Sequence, residues 1–190
     1  MVKASGKSAQ IYQLEVWLNE IEPRIWRKFE VPSNIRLDKL NGVIQDVMGW
    51  TNSHLHSFNA GENEYSMPYP GDESYNEGML DERKAKLTDI VGRSKDRFVY
   101  VYDFGDNWEH IVELVEIKEP QRGVKYPVCL AGERACPPED CGGPWSYPEF
   151  LQTLRGRNKK ERQELIDWLG YEFNPEEFDI DEINQMLKAS

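Results

Sequence analysis

The stretch Phe98–Lys118 (FVYVYDFGDNWEHIVELVEIK) constrains the fold more than any other part of the chain. Phe98, Tyr100, Tyr102 and Phe104 alternate along one side; after Gly105–Asp106–Asn107, the residues Trp108, His110, Val112 and Leu114 alternate again. Side chains two apart in a strand share a face, so each run presents one apolar face, and Gly, Asp and Asn supply the turn between them. A hairpin this long lies near the centre of a sheet and needs further strands to complete a core. The chain supplies them: of its 190 residues, 39% are hydrophobic and 12% aromatic, too many for a disordered chain.

Ile11–Leu18 alternates with Tyr12, Leu14, Val16 and Leu18 on one face, Asn19–Pro23 reads as a turn, and Ile25–Val31 returns until Pro32 stops it. Leu37, Leu40, Val43, Ile44, Val47 and Met48 recur at three and four residues, which predicts a helix ended by Gly49. His54–Ala60 alternates as a short third strand. Residues 61–97 read as a surface excursion, with a short helix around Asp81–Ile90. Val128–Tyr147 reads as irregular, broken by Pro137–Pro138 and Gly142–Gly143, and helices follow at about 148–155, 159–169 and 180–188. Leu165, Trp168 and Leu169 predict a buried stripe on the second of these helices. The fold class expected is α+β: a mixed or largely antiparallel sheet with a β-β-α-β, β-grasp-like start, a long central hairpin and a helical C-terminal tail. Residues 10–155 form one domain in this reading, and residues 156–190 are an acidic helical extension packed on it.

Charge excludes some roles. Lys and Arg number 23 against 34 Asp and Glu, a net charge of −11, and no segment is distinctly basic. A phosphate-neutralising surface needs clustered cations, so direct nucleic-acid binding is disfavoured. No apolar run reaches bilayer length, and residues 1–10 lack the apolar segment of a secretion signal. The expectation is a cytoplasmic protein, free of the membrane, whose three cysteines are thiols or metal ligands rather than a disulfide framework.

Three constellations could carry chemistry. His54 and His56, two apart in a strand, would converge on one metal ion; the plain alternative is a pair of half-exposed histidines beside Trp50. If Asp106–Asn107 is a two-residue turn, Asp103 lies across from His110 and orients it, making Asp103, Asp106 and His110 catalytic candidates; the plain alternative is turn chemistry. Cys129-x6-Cys136-x4-Cys141 could complete a Cys/His zinc site or simply be buried thiols. Trp26, Trp50 and Trp108 read as core anchors that double as binding candidates, alongside Glu139 and Asp140 in the Cys segment. Arg24 and Arg27 flank Trp26 and would pair with the surplus acid. No nucleophile elbow, phosphate-binding glycine loop or HExxH motif is present.

The motif series Pro23-Arg24-Ile25-Trp26-Arg27, Ile44-Gln45-x-x-Met48-Gly49-Trp50 and His54-Leu55-His56-x-Phe58 opens a pattern that continues through Tyr102-Asp103-Phe104-Gly105-Asp106-x-Trp108-x-His110. It closes with Cys129-x-x-Gly132-x-x-Ala135-Cys136-Pro137-Pro138-Glu139-Asp140-Cys141-Gly142-Gly143 and Tyr147. Over about residues 10–155 this resembles the plasmid pRi ORF-three-like family, whose members also occur as passenger proteins of insertion elements. The resemblance implies no established activity. A resolvase-like label attached to some members finds no support in an acidic tail. Three readings remain: a non-catalytic module, accessory to plasmid or mobile-element functions, that binds a protein or small molecule; a zinc-dependent enzyme such as a hydrolase with a His/Asp/Cys site; or a protein whose zinc is structural and closes the Cys loop against the sheet. Each places the site where His54–Ala60, Asp103–His110 and Cys129–Gly143 meet.

Overall fold

The computed structural model describes residues 10–189. The expected lack of a secretion signal falls, apart from Gln10, on residues outside that range. Eight strands form one sheet: β1 (Ile11–Leu18), β2 (Trp26–Pro32), β3 (His56–Ala60), β4 (Asn63–Ser66), β5 (Leu80–Asp81), β6 (Arg97–Tyr102), β7 (Trp108–Lys118) and β8 (Val128–Glu133). Helices are α1 (Leu37–Met48), the single turns α2 (Glu73–Asn76) and α3 (Leu87–Ile90), and α4 (Gly143–Arg155), α5 (Lys159–Leu169) and α6 (Ile180–Ala189). The strand order is β5-β4-β3-β6-β7-β1-β2-β8. The β4–β5 pair is parallel and the other neighbours are antiparallel. This is an α+β fold. The chain opens β-β-α-β, and the crossover carries β3 past β1 to pair with β6.

Burial follows the alternation. Leu14, Val16 and Leu18 of β1, Phe98, Tyr100 and Tyr102 of β6, and Trp108, Val112 and Leu114 of β7 are buried together with Leu37, Leu40, Ile44 and Val47 of α1. Each such side chain contributes roughly 1.5–3 kcal/mol by leaving water. The opposite face of the sheet is polar: Arg24 and Lys28 pair with Glu15, and the guanidiniums of Arg24 and Arg97 lie over Trp17. Polar groups join α1 to the sheet, since Gln45 donates to the Tyr100 hydroxyl at 2.8 Å and that hydroxyl donates to Asn41 at 2.6 Å.

Several expectations need correction. The segment 128–147 is not irregular throughout, because Val128–Glu133 pairs with β2 as an edge strand and α4 begins at Gly143. Pro144 in the first turn explains the early start: a proline there forfeits no helical hydrogen bond. The excursion 61–97 adds two strands to the sheet, and its expected helix is a 3-10 turn at Glu82–Lys84 followed by α3. Trp168 is exposed rather than part of a buried stripe, and Trp26 is only half-buried, with Lys28 over its ring. The tail is bound to the core through α6, where Ile183 and Leu187 are buried. The side-chain amide of Asn184 also takes both backbone groups of Cys129 on β8, at 2.9 and 3.0 Å.

Candidate functional site

Three loops meet at one end of the sheet: the segment after α1, the β6–β7 turn, and the residues before α4. Gly49, in the left-handed region at φ 98°, stops α1 and turns the chain so that Trp50 enters the core. The next residues are tied down, with Asn52 N–H donating to Gln45 and Ser53 N–H to the Tyr102 hydroxyl. In the β6–β7 turn, Asp103 Oδ1 accepts from the N–H groups of Gly105 and Asp106. Asp106 in turn accepts from Gly142 N–H at 3.0 Å, locking the turn to the loop before α4.

His54 sits among carboxylates from the other two loops. Its Nδ1 is 3.7 Å from Asp103 Oδ2, and its Nε2 is 3.2 Å from Asp140 Oδ1 and 3.8 Å from Glu139 Oε2. Among the described residues, His54, Asp103 and Asp140 form the one group of three or more His, Cys, Asp or Glu whose donor atoms all lie within 4.8 Å of one another. Glu139 Oε1 is held by Thr51 N–H, the Thr51 hydroxyl and the Tyr102 hydroxyl, at 2.7, 2.8 and 3.0 Å. Burial, reinforced by that acceptor, pushes the Tyr102 phenol up to about 12, so it remains a donor at ordinary pH.

The other candidates separate. β3 begins only at His56, so the same-face rule does not reach His54. His56 instead meets the buried Glu82 at 2.8 Å and does not join His54's group. His110 lies opposite Tyr100, not Asp103, because the turn spans residues 103–107 rather than two residues. His110 is fully buried: Trp50 Nε1 donates to its Nε2 at 3.0 Å, and its Nδ1 faces the carbonyls of Trp108 and Tyr100. Those partners fix the proton on Nδ1 and leave no nitrogen for a substrate. Trp50 and Trp108 are likewise buried, 5.7 Å apart ring to ring, and offer no binding surface. Burial raises all three thiols, Cys141 to about 12 and Cys136 well above its ordinary value, and the three do not group with each other or with His54. The loop that holds them supplies acids to the site instead. Sequence reasoning missed Thr51 and Glu82, which no local pattern marks, and it gave Asp103 the wrong histidine.

Burial depresses His110 from 6.5 to about 4. A folded value below the unfolded one adds stability above the unfolded pKa that is lost as pH falls toward the folded pKa. Between pH 8 and pH 5 this amounts to about 2 kcal/mol. Urea midpoints measured at both pH values should show that drop, and His110→Gln should remove most of the difference.

At the same end of the sheet, Leu55 and Phe104 are 44% and 41% exposed and Trp145 is 86% exposed. A cleft of about 400 Å³ lies between Glu20 of the β1–β2 turn, Gly105–Asn107 and Glu109 of the β6–β7 hairpin, and Gly142, Pro144 and Trp145.

Known proteins share this architecture. The chain is 39% identical over 163 residues to the uncharacterised protein y4hQ of Sinorhizobium fredii, covering 85% of this chain and 82% of that one. The crystal structure of a protein of unknown function from Methanosarcina mazei Go1 is 36% identical and superposes with a TM-score of 0.82, over 92% of this chain and 98% of that chain. The family described as plasmid pRiA4b ORF-3-like protein matches residues 10–182, reaching past α5 into α6, and the chain belongs to that family.

Proposed function

We propose that the protein is a non-catalytic interaction module whose recognition face is this loop-bearing end of the sheet, and whose partner carries positive charge. The observation that supports the reading is Trp145, nearly fully exposed beside Glu20, Asp106 and Glu109. Among the described residues none of these three carboxylates pairs with a lysine or arginine; Asp106 takes a backbone N–H and Glu109 the Asn19 amide. An exposed indole next to unneutralised carboxylates suits a guanidinium or ammonium group by cation–π and charge-assisted contacts. His110 is enclosed and the thiols are protonated, so neither serves as a base or nucleophile in this reading. In this reading residues 10–155 and the extension 156–190 act as one unit. It works in the cytoplasm, does not engage nucleic acid directly, and is accessory to a plasmid or mobile-element function.

Titration with a nona-arginine and a nona-glutamate peptide, followed by tryptophan fluorescence, tests this. Saturable binding of the basic peptide alone, weakened roughly tenfold by Trp145→Ala, is the expected result. Equal binding by wild type and variant would count against the face. The alternative, a zinc-dependent hydrolase, draws on the grouping of His54, Asp103 and Asp140. Zinc-stimulated cleavage of an activated ester, abolished by His54→Ala, would favour it instead.

A further inference from the structure

We infer that His54, Asp103 and Asp140 form a binding site for a divalent transition-metal ion on the recognition face. The inference rests on that face being the functional one and names a second ligand for it. Three separate loops bring one imidazole and two carboxylates together, a nitrogen-and-oxygen donor set that suits zinc or manganese. Taking one donor atom from each residue, the three lie within 4.8 Å of one another, while the nearest approaches are to different ring nitrogens, Nδ1 for Asp103 and Nε2 for Asp140. Only Asp140 approaches the ring at hydrogen-bond length, 3.2 Å, while Asp103 and Glu139 stand off at 3.7 and 3.8 Å. Donors each about 2.1 Å from a shared ion lie at most ~4.2 Å apart, so small side-chain torsions bring this group within range. Asp140, 69% exposed, has the freedom to make them.

An independent observation points the same way. Asp103 is only 8% exposed, and both hydrogen bonds it accepts go to Oδ1. Its Oδ2 has no hydrogen-bond donor and faces His54 Nδ1. A carboxylate oxygen that no protein N–H or O–H occupies is left available to coordinate a cation beside the imidazole. Glu139, anchored by Thr51 and Tyr102, adds negative charge beside the imidazole without joining the ligand group. Three protein ligands leave positions open for a group from a partner.

Isothermal titration of the tag-free, EDTA-treated protein with zinc chloride and manganese chloride provides the test. One equivalent should bind, with affinity falling about tenfold or more in His54→Ala and Asp103→Asn and unchanged in Cys136→Ser. Asp140→Asn, at an exposed position that cannot unfold the chain, should weaken binding too. No saturable binding, or binding lost in Cys136→Ser and kept in His54→Ala, would overturn the inference. Peptide binding measured in EDTA reports on the recognition face separately, so the two ideas fail independently.

Discussion

Replacing Arg27 by methionine should destabilise the protein by about 4 kcal/mol. The guanidinium is 3% exposed and has no carboxylate partner, contrary to the expectation that it pairs with surplus acid. It donates instead to four backbone carbonyls: Nε to Val47 at 2.8 Å, Nη1 to Trp26 at 2.8 Å and Glu133 at 2.9 Å, and Nη2 to Arg134 at 2.7 Å. Val47 lies in the last turn of α1, where carbonyls lack helical partners, and Glu133 ends β8. One planar group thus ties a helix end to an edge strand. Methionine fills the stem but strands these acceptors, each worth roughly 1–3 kcal/mol when left unpaired. Water from the adjoining cavity of about 430 Å³ reaches some of them and keeps the total below the sum. Arg27→Lys keeps the charge without the fork and should cost about 2 kcal/mol. Urea midpoints at constant m-value decide the matter; an unchanged midpoint in the methionine variant would remove Arg27 from the account of stability.

Gly143→Ala should cost about 3 kcal/mol and disturb the recognition face at the same time. Gly143 has φ 76°, a conformation costing an alanine about 1–2 kcal/mol, and its added Cβ would land on the Asp106 carbonyl oxygen. That obstacle is backbone, so either the β6–β7 turn or the start of α4 must move. Since Asp106 also holds Gly142, the movement reaches Asp103. Thermal unfolding should therefore fall well below wild type, with peptide and metal binding weakened together. Gly92→Ala, in open space at an ordinary φ, is the control and should stay within ~0.5 kcal/mol.

What could be read from the sequence was whatever a segment states about itself. The β1–β2 hairpin, α1 with its Gly49 stop, and α5 and α6 follow from periodicity inside short windows. What escaped depends on contacts between windows. The β6–β7 register turns on Asp103, whose carboxylate binds two N–H groups of its own turn and so lengthens it to residues 103–107. That change sets Tyr100 opposite His110 and frees Asp103 for His54. The strand β8 was hidden because Gly132 breaks its pattern. Only a glycine fits there, since a Cβ would strike Phe178, Arg27 and the Trp26 carbonyl, all from other elements. The meeting of His54 with the Cys segment was foreseen as a place, but its chemistry changed: the loop contributes Asp140 and Glu139, while its thiols stay apart.

The Asn184 amide on Cys129 has a consequence for how copies of the chain meet. An unpaired outer strand invites a neighbour to continue the hydrogen-bond ladder, which is how many β proteins polymerise. Here one residue of that edge, Cys129, already has both backbone groups taken from within by a side chain that mimics one peptide unit. The far margin of the sheet ends in the two-residue β5, too short to template another strand. Both borders are therefore poorer templates for a second copy of the chain than a bare, full-length edge strand.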